Sequence, residues 1–202
     1  LGGAVRGDFG PSTRFRAPVN EVLSPRLALT GILMFWVMVV MVPGALLIGV
    51  LAGMREGSRA DRVLSTLAIV GTSTPEYVAG VVLTVIFASK MFGLQWLSGS
   101  ATTAAETGPT FYNFTLPVLT IAIFGMGYIA RRTRAAMAEV MRQQYIRTAR
   151  LKGLSFHAVV IRHALRNALI APFTVIMLQF PWLLTGVVIV ETLFNYRGFG
   201  WL

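Results

Sequence analysis

Cysteine is absent from the 202 residues, which excludes disulfides, thiol nucleophiles and cysteine-ligated metal. Charge is scarce: 13% of residues are charged, against 55% that are hydrophobic, and the mean hydropathy is +0.68. That balance excludes an ordinary soluble domain and points to a membrane protein. Acids are scarcest of all, eight against 18 Lys and Arg, which leaves a net charge of +10. Such an excess suits nucleic acid or an anionic membrane surface, and the placement of the charges decides between them. No Gly-x-x-x-x-Gly-Lys-Ser/Thr phosphate loop occurs, so this chain is not expected to bind ATP. The two histidines, His157 and His163, are spaced for neither one helix face nor a metal site. No catalytic residue, metal ligand or cofactor site is therefore expected.

Long apolar sequence is what the chain has in abundance. No charged residue lies between Arg26 and Arg55, a run that exceeds the roughly 20 apolar residues needed to cross a bilayer core. A second run lies between Arg62 and Lys90, interrupted only by Glu76. A third lies between Glu106 and Arg131, apolar from near Phe114, and a fourth between Arg166 and Glu191. One such run alone is compatible with a buried core helix. Four are read as spans, at 27–54, 63–89, 114–130 and 167–190. The expected fold class is all-α: a polytopic transmembrane helix bundle over 27–202, preceded by an external segment at 1–26.

The loops set the orientation. Residues 53–62 carry Arg55, Arg59 and Arg62, residues 131–166 carry nine Lys and Arg against one acid, Glu139, and residues 93–112 carry neither Lys nor Arg. By the positive-inside rule, 53–62 and 131–166 are cytoplasmic and 93–112 is outside. The external segment, with Arg6, Arg14, Arg16 and Arg26, runs against the rule, but long translocated segments obey it poorly. Pro43, Pro75, Pro117, Pro172 and Pro181 fall within or at the ends of spans, which fits both a path that opens and closes and ordinary membrane packing. Gly44, Gly49, Gly53, Gly125 and Gly127 allow close helix approach.

Within the basic loop, Thr133 to Arg150 is rich in good helix formers. Met137, Val140, Met141 and Gln144 recur at helical spacing. Gly153 is placed to close that helix, and Ser155 to cap a second helix leading into the fourth span. This helix–turn–helix outline has three readings. A DNA-reading motif would have to face a duplex from between two membrane spans. An amphipathic pair would lie on anionic lipid. A docking element would engage a soluble cytoplasmic partner.

The stretch YIRTARLKGLSFHAVVIRHALRNALI, Tyr145 to Ile170, resembles the cytoplasmic signature loop of ABC-importer permeases, and is most similar to the oligopeptide/dipeptide/nickel family. The general signature is Glu-Ala-Ala, three residues, then Gly. Arg147, Thr148 and Ala149 stand at the Glu-Ala-Ala positions and Gly153 at the glycine, in the RTA…KG form common in the peptide branch. Arg166 stands where a proline is frequent, so the helix is expected to run on there. GDFGPS (Gly7 to Ser12) with Pro18 and Val19 is similar to the external segment of the B-type subunit. ARRTRAAMAEVMRQQYIRTARLKG and GVVIVETLFNYRGFG (Gly186 to Gly200) match as well, so the resemblance covers nearly the whole chain.

The resemblance implies a type I ABC-importer permease with a coupling helix in the 131–166 loop, set in the bacterial inner membrane. It implies six helices, hence one span upstream of Leu1 and one downstream of Leu202. Its expected partners are a C-type second permease subunit, two ATPase subunits that bind ATP and Mg, an external solute-binding protein and the lipid bilayer, with no nucleic acid. The chain itself is not expected to be an enzyme. The coupling residues carried over are Tyr145, Arg147, Thr148, Ala149, Arg150, Lys152, Gly153 and Leu154. Ala149 is expected to let the helix sit deep in the ATPase, Arg150 and Lys152 to pair with acids, and Gly153 to allow the turn. Glu76, roughly 20 Å into its span at ~1.5 Å per residue, is a candidate for the solute path. It would greet a cationic group such as a peptide amino terminus, or sit without specific duty in a water-filled vestibule where Pro75 breaks the helix. Glu191 and Arg197 are expected to pair or to touch the binding protein, with an aromatic packing segment as the other reading. The solute is a peptide, nickel, glutathione, an opine or a sugar. The alternatives are a membrane sensor or scaffold whose basic loop recruits a partner, and a channel.

Overall fold

The structure is a computed structural model that describes residues 9–12, 15–92 and 96–202. Arg6, Gly7, Asp8 and Arg14 of the external segment, and the start of the 93–112 loop, lie outside the described residues. The helices are α1 (Val19–Gly53), α2 (Arg59–Ser73), α3 (Glu76–Phe87), α4 (Thr102–Thr107), α5 (Phe111–Met141), α6 (Gln144–Leu151) and α7 (Ile170–Leu193). A helical connector joins α6 to α7: Phe156–Ala158, a π-helical segment Val159–Ala164, and Leu165–Ala168. Among the described residues there is no strand, only an isolated bridge between Pro11 and Pro18. The expected all-α class is what is found.

Three helices, α1, α5 and α7, are each long and apolar enough to cross a membrane. The second expected span, 63–89, is broken within its length. It is the pair α2 and α3, bent by 109°, which makes it a broken span or a re-entrant loop. Pro75 supplies the cause. It has no N–H to return to the Gly71 carbonyl, and its ring holds Thr74 extended, at φ −88° and ψ 121°. Pro43, Pro117 and Pro181 lie inside α1, α5 and α7 without ending them.

The boundaries of the other elements also shift. α1 starts at Val19, within the segment expected to precede the first span. α5 starts at Phe111 because Thr110 and Asn113 form a reciprocal capping box. It then runs past the expected end at 130 to Met141, so the first part of the basic loop is an extension of the bundle. The helix expected from 133 to 150 is interrupted at Arg142 and Gln143, where α6 begins in a new direction.

α5 is the centre of the bundle and packs along α1, α2, α3 and α7. Leu33, Val37, Met41 and Ala45 are buried at four-residue spacing on one face of α1, while Phe35, Trp36, Val39 and Leu47 are exposed on its other faces, as suits a helix in lipid. Leu116, Ile121, Ala122 and Ile129 of α5 join the same core. The approach of α2 to α5 depends on glycine: a Cβ at Gly127 would stand 2.2 Å from the Ala68 carbonyl oxygen, and one at Gly71 3.1 Å from the Ile123 carbonyl oxygen.

At the end of the bundle that carries Arg55, Arg59 and Arg62, a polar network ties the elements together. Arg134 on α5 donates through Nε and Nη2 to the two oxygens of Asp61 on α2, at 2.6 and 2.7 Å. Asp61 is 3% exposed and also accepts from the Gly57 N–H at 2.8 Å and Ser65 Oγ at 3.1 Å. A bidentate pair with a buried carboxylate is among the stronger polar contacts available. Glu56 reaches both Arg134 and Arg142. Loop charge alone says nothing of these two acids. The Ser58-x-x-Asp61 spacing is the local signal, and Ser58 Oγ does accept from the Asp61 N–H.

Candidate functional site

The basic segment is built on α6. Gln143 enters it in an extended conformation with no side-chain cap. An isolated helix of eight residues is not stable in water, so α6 depends on what it buries. Ile146 is 1% exposed and Ala149 6%. They pack with Met137 of α5 and with Val159, Val160, Ala164 and Ala168 of the connector, and Val50, Met54 and Phe156 close the rim. Full burial of one isoleucine contributes about 1.5–3 kcal/mol. α6 is thereby moored to the ends of α1 and α5 and to the connector.

Its exit is a Schellman closure. The Leu154 N–H donates to the Ala149 carbonyl at 3.3 Å, and the Gly153 N–H to the Arg150 carbonyl at 3.0 Å. Gly153 has φ +80°, the left-handed region where a side chain is strained. Ser155 Oγ then accepts from the Ala158 N–H at 3.4 Å and starts the connector. The chain continues helical past Arg166, as expected, through Leu169, whose N–H donates to the Leu165 carbonyl at 3.0 Å. The π-helical segment is a feature the sequence did not announce.

Of the residues expected to couple, Tyr145, Arg147, Thr148, Arg150, Lys152, Gly153 and Leu154 are exposed. Ala149 is corrected: it faces the chain's own core, where its small size lets α6 lie close to the connector. Leu151, outside the set that the resemblance carries over, is 80% exposed and stands among the cations. Gln144 is exposed as well, because the break at Arg142 and Gln143 removes it from the stripe of Met137, Val140 and Met141. The guanidinium carbons of Arg55 and Arg150 lie 5.0 and 5.8 Å from the Phe156 ring centroid. Asn167 Nδ2 donates to Tyr145 Oη at 2.9 Å, a second tie between α6 and the connector. The outward surface carries Arg147, Arg150 and Lys152 beside Leu151 and Leu154, and no acid.

Glu76 lies at the first position of α3, at the bend rather than in mid-helix. Its carboxylate abuts α7: a Cβ added to Gly186 would stand 3.0 Å from Oε2 and 3.3 Å from Oε1. Oε2 is buried and has no hydrogen-bond partner.

Glu191 is also corrected. It is fully buried and accepts from Thr30 Oγ1 of α1 and from the Gly200 N–H, the latter at 2.7 Å. Thr30 Oγ1 in turn accepts from the Phe199 N–H at 2.8 Å. Tyr196 Oη donates to the Leu29 carbonyl at 3.0 Å, and burial followed by the nearby Glu191 carboxylate pushes that phenol up to about 12, so it remains a donor. Arg197 does not pair with Glu191. It is exposed, with its guanidinium carbon 5.7 Å from the Trp201 ring centroid. Glu191 thus offers no surface to an outside protein. It folds the segment after α7 back onto α1, much as the aromatic packing reading supposed.

Comparison with known proteins bears on the same residues. The family described as binding-protein-dependent transport system inner membrane component matches residues 45–202, which include the bend, α6, Gly153 and the connector. The chain is 38% identical over 198 residues to the probable peptide ABC transporter permease protein y4tP of Sinorhizobium fredii, covering 97% of this chain and 62% of the relative. It is 37% identical over 196 residues to the glutathione transport system permease protein GsiC of Salmonella typhi, covering 97% and 61%. To the protein of the same name in Escherichia coli it is 36% identical over 200 residues, covering 99% and 62%. The chain therefore spans 61–62% of the length of these relatives. The family match covers residues 45–202, most of the chain: this chain belongs to the family of binding-protein-dependent transport system inner membrane components.

Proposed function

We propose that the chain is a permease subunit of an ATP-driven importer, and that it forms part of the path by which peptides or similar small solutes cross the bacterial inner membrane. The observation that carries this reading is α6, a short helix with a cationic outer face, fastened by Ile146 and Ala149 to the end of the bundle. In this reading Tyr145, Arg147, Thr148, Arg150, Leu151, Lys152 and Leu154 meet an ATPase subunit, with the arginines and lysine opposite acids. ATP and Mg bind to two such subunits and not to this chain. When they close on ATP the seat of α6 moves. The packed core around Ile146 passes that displacement to α1 and α5, and the connector passes it to α7, a rigid-body switch of the alternating-access kind. A second permease subunit completes the path. A solute-binding protein delivers the solute at the opposite end, where Arg197 and Trp201 lie. The relatives named for peptide and glutathione transport support a peptide-like solute.

The full complex is expected to show ATP hydrolysis that rises with the binding protein; hydrolysis indifferent to it contradicts the reading. Gly153→Val is the milder test within this chain. No atom lies within 4 Å of a Cβ there, so the cost is the left-handed backbone alone, about 1–2 kcal/mol. Several-fold weaker stimulation is expected, with membrane insertion intact and Gly153→Asn less affected. Equal stimulation in the valine variant would show that the closure does not matter to coupling.

A further inference from the structure

We propose that the break between α2 and α3 binds the protonated amine of the transported solute, with Glu76 as the counter-charge. The inference deepens the import reading and rests on it. An acid at membrane depth costs about 2.5–3.5 kcal/mol and is retained where it faces a partner or a water-filled cavity. Glu76 Oε2 has no hydrogen-bond partner, and the ion pairs among the described residues belong to Arg134 and Arg142 at the basic end of the bundle.

The backbone at the bend adds to the carboxylate. The Thr74 N–H goes to the Val70 carbonyl, Pro75 has none to give, and the Val78 and Ala79 N–H groups both return to Pro75. Among the described residues no backbone N–H reaches the carbonyls of Gly71, Thr72 or Ser73. Those carbonyls are the negative end of α2. The stretch 71–76 thus holds three acceptor carbonyls and one carboxylate, next to the first N–H groups of α3, those of Glu76 and Tyr77. A primary ammonium, with three donors and no acceptor, is the complement of the carboxylate that has no partner. Irregular backbone at this depth is tolerated where it is covered by protein or lines a cavity, and interrupted helices are where membrane transporters hold cations. The site leans on α7 at Gly186, where a Cβ would press on the carboxylate at 3.0 and 3.3 Å. Among the described residues no group of three His, Asp or Glu gathers, as a tight divalent site would require.

The test uses the full complex with its binding protein in sealed vesicles, and two probes, trialanine and N-acetyltrialanine. Wild type is expected to import trialanine in preference. Glu76→Gln keeps the shape and removes the charge. It is expected to lower trialanine uptake about 10-fold, the loss of one charge-assisted hydrogen bond, while N-acetyltrialanine uptake stays where it was. Glu76→Asp is expected to restore most of the preference. Equal loss for both peptides would mark a merely structural carboxylate and overturn the proposal, as would unchanged trialanine uptake. If wild type imports neither peptide while its ATP hydrolysis still answers to the binding protein, the amine site falls and import of another solute stands. If hydrolysis ignores the binding protein, the import reading has failed and takes the site with it.

Discussion

Replacing Ile146 with aspartate should uncouple ATP hydrolysis from the binding protein while leaving the chain in the membrane. Ile146 is the deepest side chain of α6, in a cluster made almost wholly of apolar groups. An unpaired carboxylate there costs several kcal/mol, and the substitution also removes the isoleucine burial on which an eight-residue helix depends. The helix leaves its seat rather than bury the charge, and the cationic surface loses its fixed geometry. None of the spanning helices contains Ile146, so insertion and the main core persist. Stimulated hydrolysis is expected to fall at least ~10-fold, the equivalent of about 1.4 kcal/mol. Ile146→Val, which costs about 0.5–1.5 kcal/mol, should stay near wild type. The readout is ATP turnover of the reconstituted complex with and without binding protein. Normal stimulation in the aspartate variant would mean that α6 need not be moored.

Glu191→Ala should open the opposite end. The substitution strands the Thr30 hydroxyl and the Gly200 N–H in a buried place. Each unsatisfied group costs about 1–3 kcal/mol, so a loss on the order of 3 kcal/mol is expected. The turn that brings Phe199–Trp201 onto α1 then loosens, which frees the Phe199 N–H as well. Hydrogen exchange should quicken at Phe199 and Gly200, and the thermal midpoint in detergent should drop. Glu191→Gln keeps an acceptor for one of the two donors and should lie between. An alanine variant with unchanged midpoint and exchange would show that the clasp carries no stability.

What the sequence disclosed, and what it withheld, follows from the range of each interaction. α1, α5 and α7 were legible because run length and hydropathy are properties of contiguous sequence. Gly153 and Ser155 were legible because closures and caps are decided within a few residues. A break at Pro75 was legible as one alternative, because proline lacks the N–H a helix needs, but its 109° angle was not, since hydropathy is blind to direction. The inward face of α6 was misread through one local event, the break at Arg142 and Gln143, which turns Ile146 and Ala149 toward the core. The polar contacts were hidden by distance along the chain: Thr30 and Glu191 are 161 residues apart, and Asp61 and Arg134 are 73 apart. Glu76 was noticed as an acid in an apolar run. Its place against α7 at Gly186 needed the fold.

The central claim is that the outer face of α6 lies inside the cell against an ATPase subunit. The chain has no cysteine, and Leu151 is 80% exposed, so Leu151→Cys gives this chain a single thiol to follow with a membrane-impermeant maleimide. The account predicts no labelling in right-side-out vesicles, labelling in inside-out vesicles stripped of the ATPase, and protection when the ATPase is rebound. Labelling from outside, or labelling that the ATPase leaves untouched, would contradict it.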